Sequence, residues 1–257
     1  MQRCAIPEDS SPRKHRTSGL LFALATLLTA CQSDGVGYEV QLPLATQYVF
    51  RGAVVNKDPV FQPSVSAHAE RGNHALDAVI WSNYDSSDDN GKAHDWTEVD
   101  YSGGYTHSEG TVSTSVGFIH YAYPSTQFES SSEVYAMAST AWNALTSTLE
   151  VWYDYEVIDG YYVNLNVSRD WDLHEAWGLA TKLGIGYMDK AQGEYFFGPR
   201  ESGWADLLAQ ATLTRPISER GSFFVSWAFS EVLDASYRNA QEDTNHFWVS
   251  VGTSWTF

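Results

Sequence analysis

Residues 160–170 read Gly-Tyr-Tyr-Val-Asn-Leu-Asn-Val-Ser-Arg-Asp. Tyr161, Val163, Leu165 and Val167 fall on one side of this stretch. Tyr162, Asn164, Asn166, Ser168 and Asp170 fall on the other. Successive side chains of a β-strand point to opposite faces, so a period of two predicts a strand with one apolar and one polar face. The preceding stretch, 147–157, repeats the pattern. Leu149, Val151, Tyr153, Tyr155 and Val157 alternate with Thr148, Glu150, Trp152, Asp154 and Glu156. At 221–230, Phe223, Val225, Trp227 and Phe229 alternate with Phe224, Ser226, Ala228 and Ser230.

Working outward, the alternation predicts twelve strands, at 38–51, 59–70, 74–83, 96–106, 111–121, 132–142, 147–157, 160–170, 175–188, 203–214, 221–230 and 244–257. Their connections alternate in length. Those around residues 71–73, 107–110, 143–146, 171–174 and 215–220 are short, whereas 84–95, 122–131, 189–202 and 231–243 are long and polar. Only Ile158-Asp159-Gly160 is short where a long loop is due. Short turns at one end and long loops at the other mark an outer-membrane barrel. The predicted fold is therefore an all-β, antiparallel, up-and-down transmembrane barrel of about twelve strands, occupying 32–257 as a single domain. Its rival is a lipid-anchored, water-soluble barrel.

No stretch after residue 31 approaches the roughly 18 apolar residues of a spanning helix, which excludes a helical membrane protein. Ahead of it, Arg13, Lys14 and Arg16 form a basic region, Leu20 to Leu28 an apolar one, and Leu28-Thr29-Ala30-Cys31 a lipobox-like site. Residues 1–31 thus read as a signal segment with Cys31 as the lipidated first mature residue; the alternative is an ordinary secretory signal containing a chance cysteine. The only other cysteine, Cys4, leaves with the signal, so the mature chain has neither a disulfide nor a cysteine metal site. The chain has 15 basic and 32 acidic residues; removing four and two of these with the signal leaves a net charge of −19, which argues against nucleic acid.

The last strand ends on alternating Phe247, Val249, Val251, Trp255 and the terminal Phe257. This ending resembles those of many outer-membrane barrels, which implies that Phe257 is a signal read by the barrel-assembly machinery. Tyr48, Phe50, Tyr105, Phe118, Trp142, Tyr161, Tyr187 and Trp255 are candidates for the aromatic girdles at the two membrane interfaces.

The polar parity predicts the lumen. It carries Glu39, Asp77, Glu98, Asp100, Glu133, Glu150, Asp154 and Asp206, with Arg51 and Lys182 as the cations. Either these groups line a pore or Arg51 pairs with carboxylates to brace a polar interior. Trp81, Tyr135, Trp152, Tyr162, Trp204 and Trp248 fall on the same parity, where they either stack on passing rings or narrow the lumen. Twelve strands lie between the filled eight-stranded barrel and the open sixteen-stranded channel.

Thr46-Gln-Tyr-Val-Phe-Arg-Gly52, followed by Asp58-Pro59 and Gln62-Pro63, resembles the first hairpin of the TorF-type outer-membrane porin family. Glu98-Val99-Asp100 leading to Gly104-Tyr105, Gly117 to Pro124, and Ser132-Glu133-Val134-Tyr135 are compatible with that family. The resemblance is strongest over 46–63 and implies an outer-membrane barrel without naming a solute. A lipobox departs from the plain secretory signal of that family.

The expected function is a channel in the bacterial outer membrane for passive diffusion of small hydrophilic solutes, cation-preferring, without cofactor, metal or catalysis. A plugged structural or adhesion barrel and an outer-leaflet lipid-modifying enzyme are the alternatives. His120, on the lipid-facing parity, is the residue an enzyme would use, and it lacks the Ser-Asn-Gly run of the twelve-stranded phospholipases. His94 with Asp85, Asp88, Asp89 and Asp95 reads either as a weak hard-cation site or as a solvated acidic loop.

Overall fold

The computed structural model describes residues 35–257. The signal segment and Cys31 lie outside the described residues. Within them the chain alternates strand and connection. It runs through β1 (Val36–Ala45), β2 (Tyr48–Phe50), β3 (Ala53–Asn56), β4 (Val60–Phe61), β5 (Ser64–Arg71), β6 (His74–Asp85), β7 (Asp95–Glu109) and β8 (Val112–Ala122). It continues through β9 (Ser131–Trp142), β10 (Leu145–Asp154), β11 (Gly160–Asp172), β12 (Gly178–Met188), β13 (Gly203–Pro216), β14 (Gly221–Val232) and β15 (Asn245–Thr256). From β6 onward each strand pairs antiparallel with its predecessor and its successor. β4 and β5 together form one wall strand interrupted at Gln62-Pro63, where proline has no N–H to give to a ladder.

The circuit closes between the last strand and the first. Val40 lies opposite Trp255, Leu42 opposite Thr253 and Leu44 opposite Val251. The result is a closed, twelve-stranded, antiparallel barrel with no free edge.

Register assigns every side chain to a face. Leu76, Tyr105, Val116, Ala136, Val151, Val163, Tyr187 and Trp204 are successive cross-strand partners and form an outer ring. The outer face is apolar and exposed, and Phe118 on it is 53% exposed. Inner-face polar groups, including Glu98, Glu133, Asn164, Asn166, Asp206 and Ser226, are buried. This inversion of a water-soluble protein suits a barrel whose outer solvent is lipid. Among the described residues, no helix is long and apolar enough to cross a membrane.

The connections sort by end as the alternation predicts. At one end lie turns of two to five residues, Gly72-Asn73 and Asn143-Ala144 among the shortest. At the other lie the long connections, two of which carry helices, Lys190–Phe197 and Ala235–Asn239. The short connection after β10 is explained by Asp154. Its Oδ1 accepts the backbone N–H of Glu156, Val157 and Ile158, closing a tight loop from within.

Three expectations need correction. The first strand ends at Ala45 and not at 51; residues 46–59 leave the wall as the β2–β3 hairpin. Tyr48 and Phe50 therefore are not girdle residues: Tyr48 packs on Trp81, and Phe50 on Tyr121 and Phe196. Trp204 faces outward against Tyr187, because a register shift between Ile185 and Tyr187 reverses the parity of that end of β13.

Candidate functional site

The β2–β3 hairpin turns at Arg51-Gly52, where both residues have positive φ, 49° and 84°. Phe50 pairs with Ala53 across this two-residue turn. A turn with positive φ at both central residues matches the twist of the strands it joins. Glycine at 52 is also required by space: a Cβ there would stand 2.7 Å from the Cβ of Asp206. The hairpin crosses the lumen, since its tip meets residues of β9, β10, β11 and β13.

Arg51 is the centre of that contact. Its two terminal nitrogens donate to both oxygens of Glu133 at 2.7 and 2.6 Å. The two side chains are 6% and 2% exposed. The guanidinium lies 4.6 Å from the ring centroid of Tyr162 and 4.7 Å from that of Phe50. Burial disfavours its charge, but the Glu133 carboxylate outweighs that cost and holds the group above the usual arginine value. Tyr121 donates to the same carboxylate at 3.0 Å. Arg51 is thus held in a bidentate pair, the geometry for which its planar fork is suited, and its Nη1 also donates to Gln192 Oε1 at 3.4 Å.

Around this pair the long-loop half of the lumen is packed. Phe197 of the helix Lys190–Phe197 stacks on Tyr237 of the second helix at 4.8 Å between centroids. Tyr162, Met188, Ala205 and Val232 complete a buried apolar cluster with them. Each helix is capped by an aspartate: Asp189 accepts from the N–H groups of Ala191 and Gln192, and Asp234 from that of Ser236. The hairpin is tied on its other side to loop 86–94, through Lys57 and Asp89 at 3.2 Å.

The remaining residues singled out from the sequence divide by height. Asp206 accepts from Tyr162 at 3.0 Å and lies against Gly52. Glu98 and Asp100 are buried near Tyr48, Tyr121 and Tyr123, and Asp100 Oδ1 has no protein partner. Glu150 accepts from Asn166 at 2.7 Å and from Trp152 at 3.2 Å. Lys182 sits between Ser168 and Gln210 on the inner face. Asp77 pairs with His68 at 2.6 Å and keeps 45% of its side chain exposed. Glu39 receives Gln41 and Ser254 near the closing seam. Asp154 departs from its expected role, because three backbone N–H groups and Ser131 occupy its carboxylate.

Sequence parity therefore found most of the inner-face residues but missed the hairpin, Gln192, Phe197 and Tyr237. The detectable signal for the hairpin was Arg-Gly between Tyr-Val-Phe and Ala-Val-Val. In the acidic loop Asp89 and Asp95 pair with Lys57 and Lys92, and among the described residues no group of three or more His, Cys, Asp or Glu is arranged to hold a metal ion.

Solved structures share this architecture. The NanC porin superposes with a TM-score of 0.54 at 9% identity, over 85% of this chain and 98% of its own. The COG4313 outer membrane channel from Pseudomonas putida F1 gives 0.53 at 8%, over 88% and 97%. The KdgM porin in complex with disordered oligogalacturonate gives 0.50 at 10%, over 86% and 99%. At these identities the likeness is one of fold. No curated protein matches the chain in sequence. The profile of a family described as "Bacterial protein of unknown function (Gcw_chp)" matches residues 30–206.

Proposed function

The chain belongs to this Gcw_chp family of bacterial proteins, and from that premise we propose that it is an outer-membrane channel for passive diffusion of small hydrophilic solutes, constricted at its long-loop end and cation-preferring. The observation that carries the reading is the charge of the inner face. Arg51 is neutralised by Glu133, so Lys182 is the remaining inward cation named from the sequence; against it stand Asp77 and Glu150, which are not buried, whereas Glu98, Asp100 and Asp206 lie buried in the packed half. Rings of carboxylates favour cation entry, and a narrow lumen with low-dielectric walls concentrates their field.

The apolar outer face supports residence in the outer membrane, and the TorF-type resemblance of 46–63 points the same way. The neighbouring porins, by their names, do this kind of work. In this reading Phe257 serves the assembly machinery as its recognition residue, and Cys31 carries the lipid.

Reversal potential across a salt gradient in a planar bilayer tests the preference. Wild type is expected to favour cations, and Glu150→Gln with Asp77→Asn to reduce that preference. Salt should weaken it too, since the screening length falls from roughly 30 Å at 0.01 M to 3 Å at 1 M. Anion preference in wild type, or no change in the double variant, would overturn the proposal.

One contact favours the lipid-enzyme reading. On the outer face, His120 Nδ1 lies 2.9 Å from Ser132 Oγ. Against it, Ser132 is buried, and no carboxylate among the described residues holds the other side of the imidazole. Phospholipid hydrolysis by wild type that disappears in Ser132→Ala would favour the enzyme over the channel.

A further inference from the structure

The outer face of β11 to β15 carries a groove of about 450 Å³ that the channel does not use. Register shows how it forms. One rank of outward side chains runs Val167, Leu183, Ala209, Phe229, Phe247; the adjacent rank, nearer the short-turn end, runs Arg169, Thr181, Ala211, Trp227, Val249. Small residues therefore stand at the centre of both ranks. Thr181, Ala209 and Ala211 make a floor, with Leu183 on one side and Trp227 and Phe229 on the other. The floor spans two ranks along β13 and lies on the outer, apolar face.

At the short-turn end of this groove stands Arg169, the charged side chain among its lining residues that faces outward. Its guanidinium carbon lies over the Trp171 ring, 3.5 Å from the centroid. Its Nε is buried and has no hydrogen-bond partner, and among the described residues no carboxylate forms an ion pair with it. Arginine on a lipid-facing surface is costly unless it reaches the headgroup level and pairs there. Trp171 beside it is a girdle-type residue, at home at that level.

We propose that this groove binds one phospholipid of the leaflet at the short-turn end, an acyl chain lying on Thr181, Ala209 and Ala211 and the phosphate pairing with Arg169. The planar guanidinium supplies the donors that a phosphate accepts, from its terminal nitrogens, while Trp171 holds the group in place. The proposal rests on the membrane reading of the barrel but not on ion passage.

Native mass spectrometry of the full barrel released from detergent tests it, with phosphatidylglycerol and diacylglycerol of equal chain length as probes. Wild type is expected to retain one phosphatidylglycerol under activation that strips diacylglycerol. Arg169→Gln should weaken phosphatidylglycerol retention about tenfold, the loss of one charge-assisted hydrogen bond. Ala211→Trp, which fills the floor, should lower retention of both probes. Equal phosphatidylglycerol retention by wild type and Arg169→Gln would overturn the proposal, as would a dimer in place of the lipid adduct. Heat-shifted migration on detergent gels reports that each variant is folded. Conductance should be the same in wild type and Arg169→Gln, so a failed channel and a failed lipid site are told apart.

Discussion

In the long-loop half of the lumen, Met188 and Tyr237 have no exposed surface, whereas in the short-turn half the inward pair His68 and Asp77 keeps 49% and 45%. The same alternating strands build both halves. What differs is the connections: turns of two to five residues at one end, and at the other a hairpin and two helices folded back inside the wall. An inward carboxylate therefore has a role set by its height. Glu133 is a buried anchor for Arg51, while Asp77 is a solvated group. The packing of the long-loop half comes from the hairpin and helices, not from the wall strands.

The largest expected effect comes from breaking the Arg51–Glu133 pair. Arg51→Ala leaves Glu133 buried and uncompensated, a loss of about 3–5 kcal/mol for pairs of this kind. Because the wall is closed by its own ladder, the loss should stay in the packed half. Amide exchange in 46–59 should accelerate greatly, while that of β5 and β6 around His68 and Asp77 stays unchanged. Uniform acceleration in both halves would mean that the hairpin and the wall are one cooperative unit.

A smaller effect is expected from paired glycine substitutions, one in each half. Gly52→Ala meets a left-handed backbone costing roughly 1–2 kcal/mol and, in addition, the side chain of Asp206 at 2.7 Å. Gly72→Ala in a short turn has the same kind of backbone, φ +61°, but nothing within 4 Å of the new methyl. Thermal unfolding in detergent should therefore show Gly52→Ala as the more destabilised of the two. Equal shifts would show that Gly52 is needed for its backbone alone.

The wall was legible in the sequence because its two faces see different solvents, and 147–170 records that difference residue by residue. The packed half was not. Tyr48-Val49-Phe50 alternates as a wall strand would, and an arginine at positive φ is an uncommon turn signal, so the hairpin read as an extension of β1. Asp154 has inward parity, but its partners are backbone N–H groups that parity does not describe. Trp204 was lost to one register shift, which exchanges the faces of everything beyond it. Phe197 and Tyr237 sit in polar connections whose inward fold depends on contacts between distant segments, and no local pattern encodes that.

Single-channel conductance in a planar bilayer tests most directly whether the hairpin and loops constrict one half of the barrel. The comparison is wild type against a variant in which residues 49–55 are replaced by Gly-Gly between the paired Tyr48 and Asn56. A small, cation-selective wild-type conductance that rises several-fold in the variant is the expected result. Equal conductance in the two proteins would contradict the account, because the hairpin would then be no constriction.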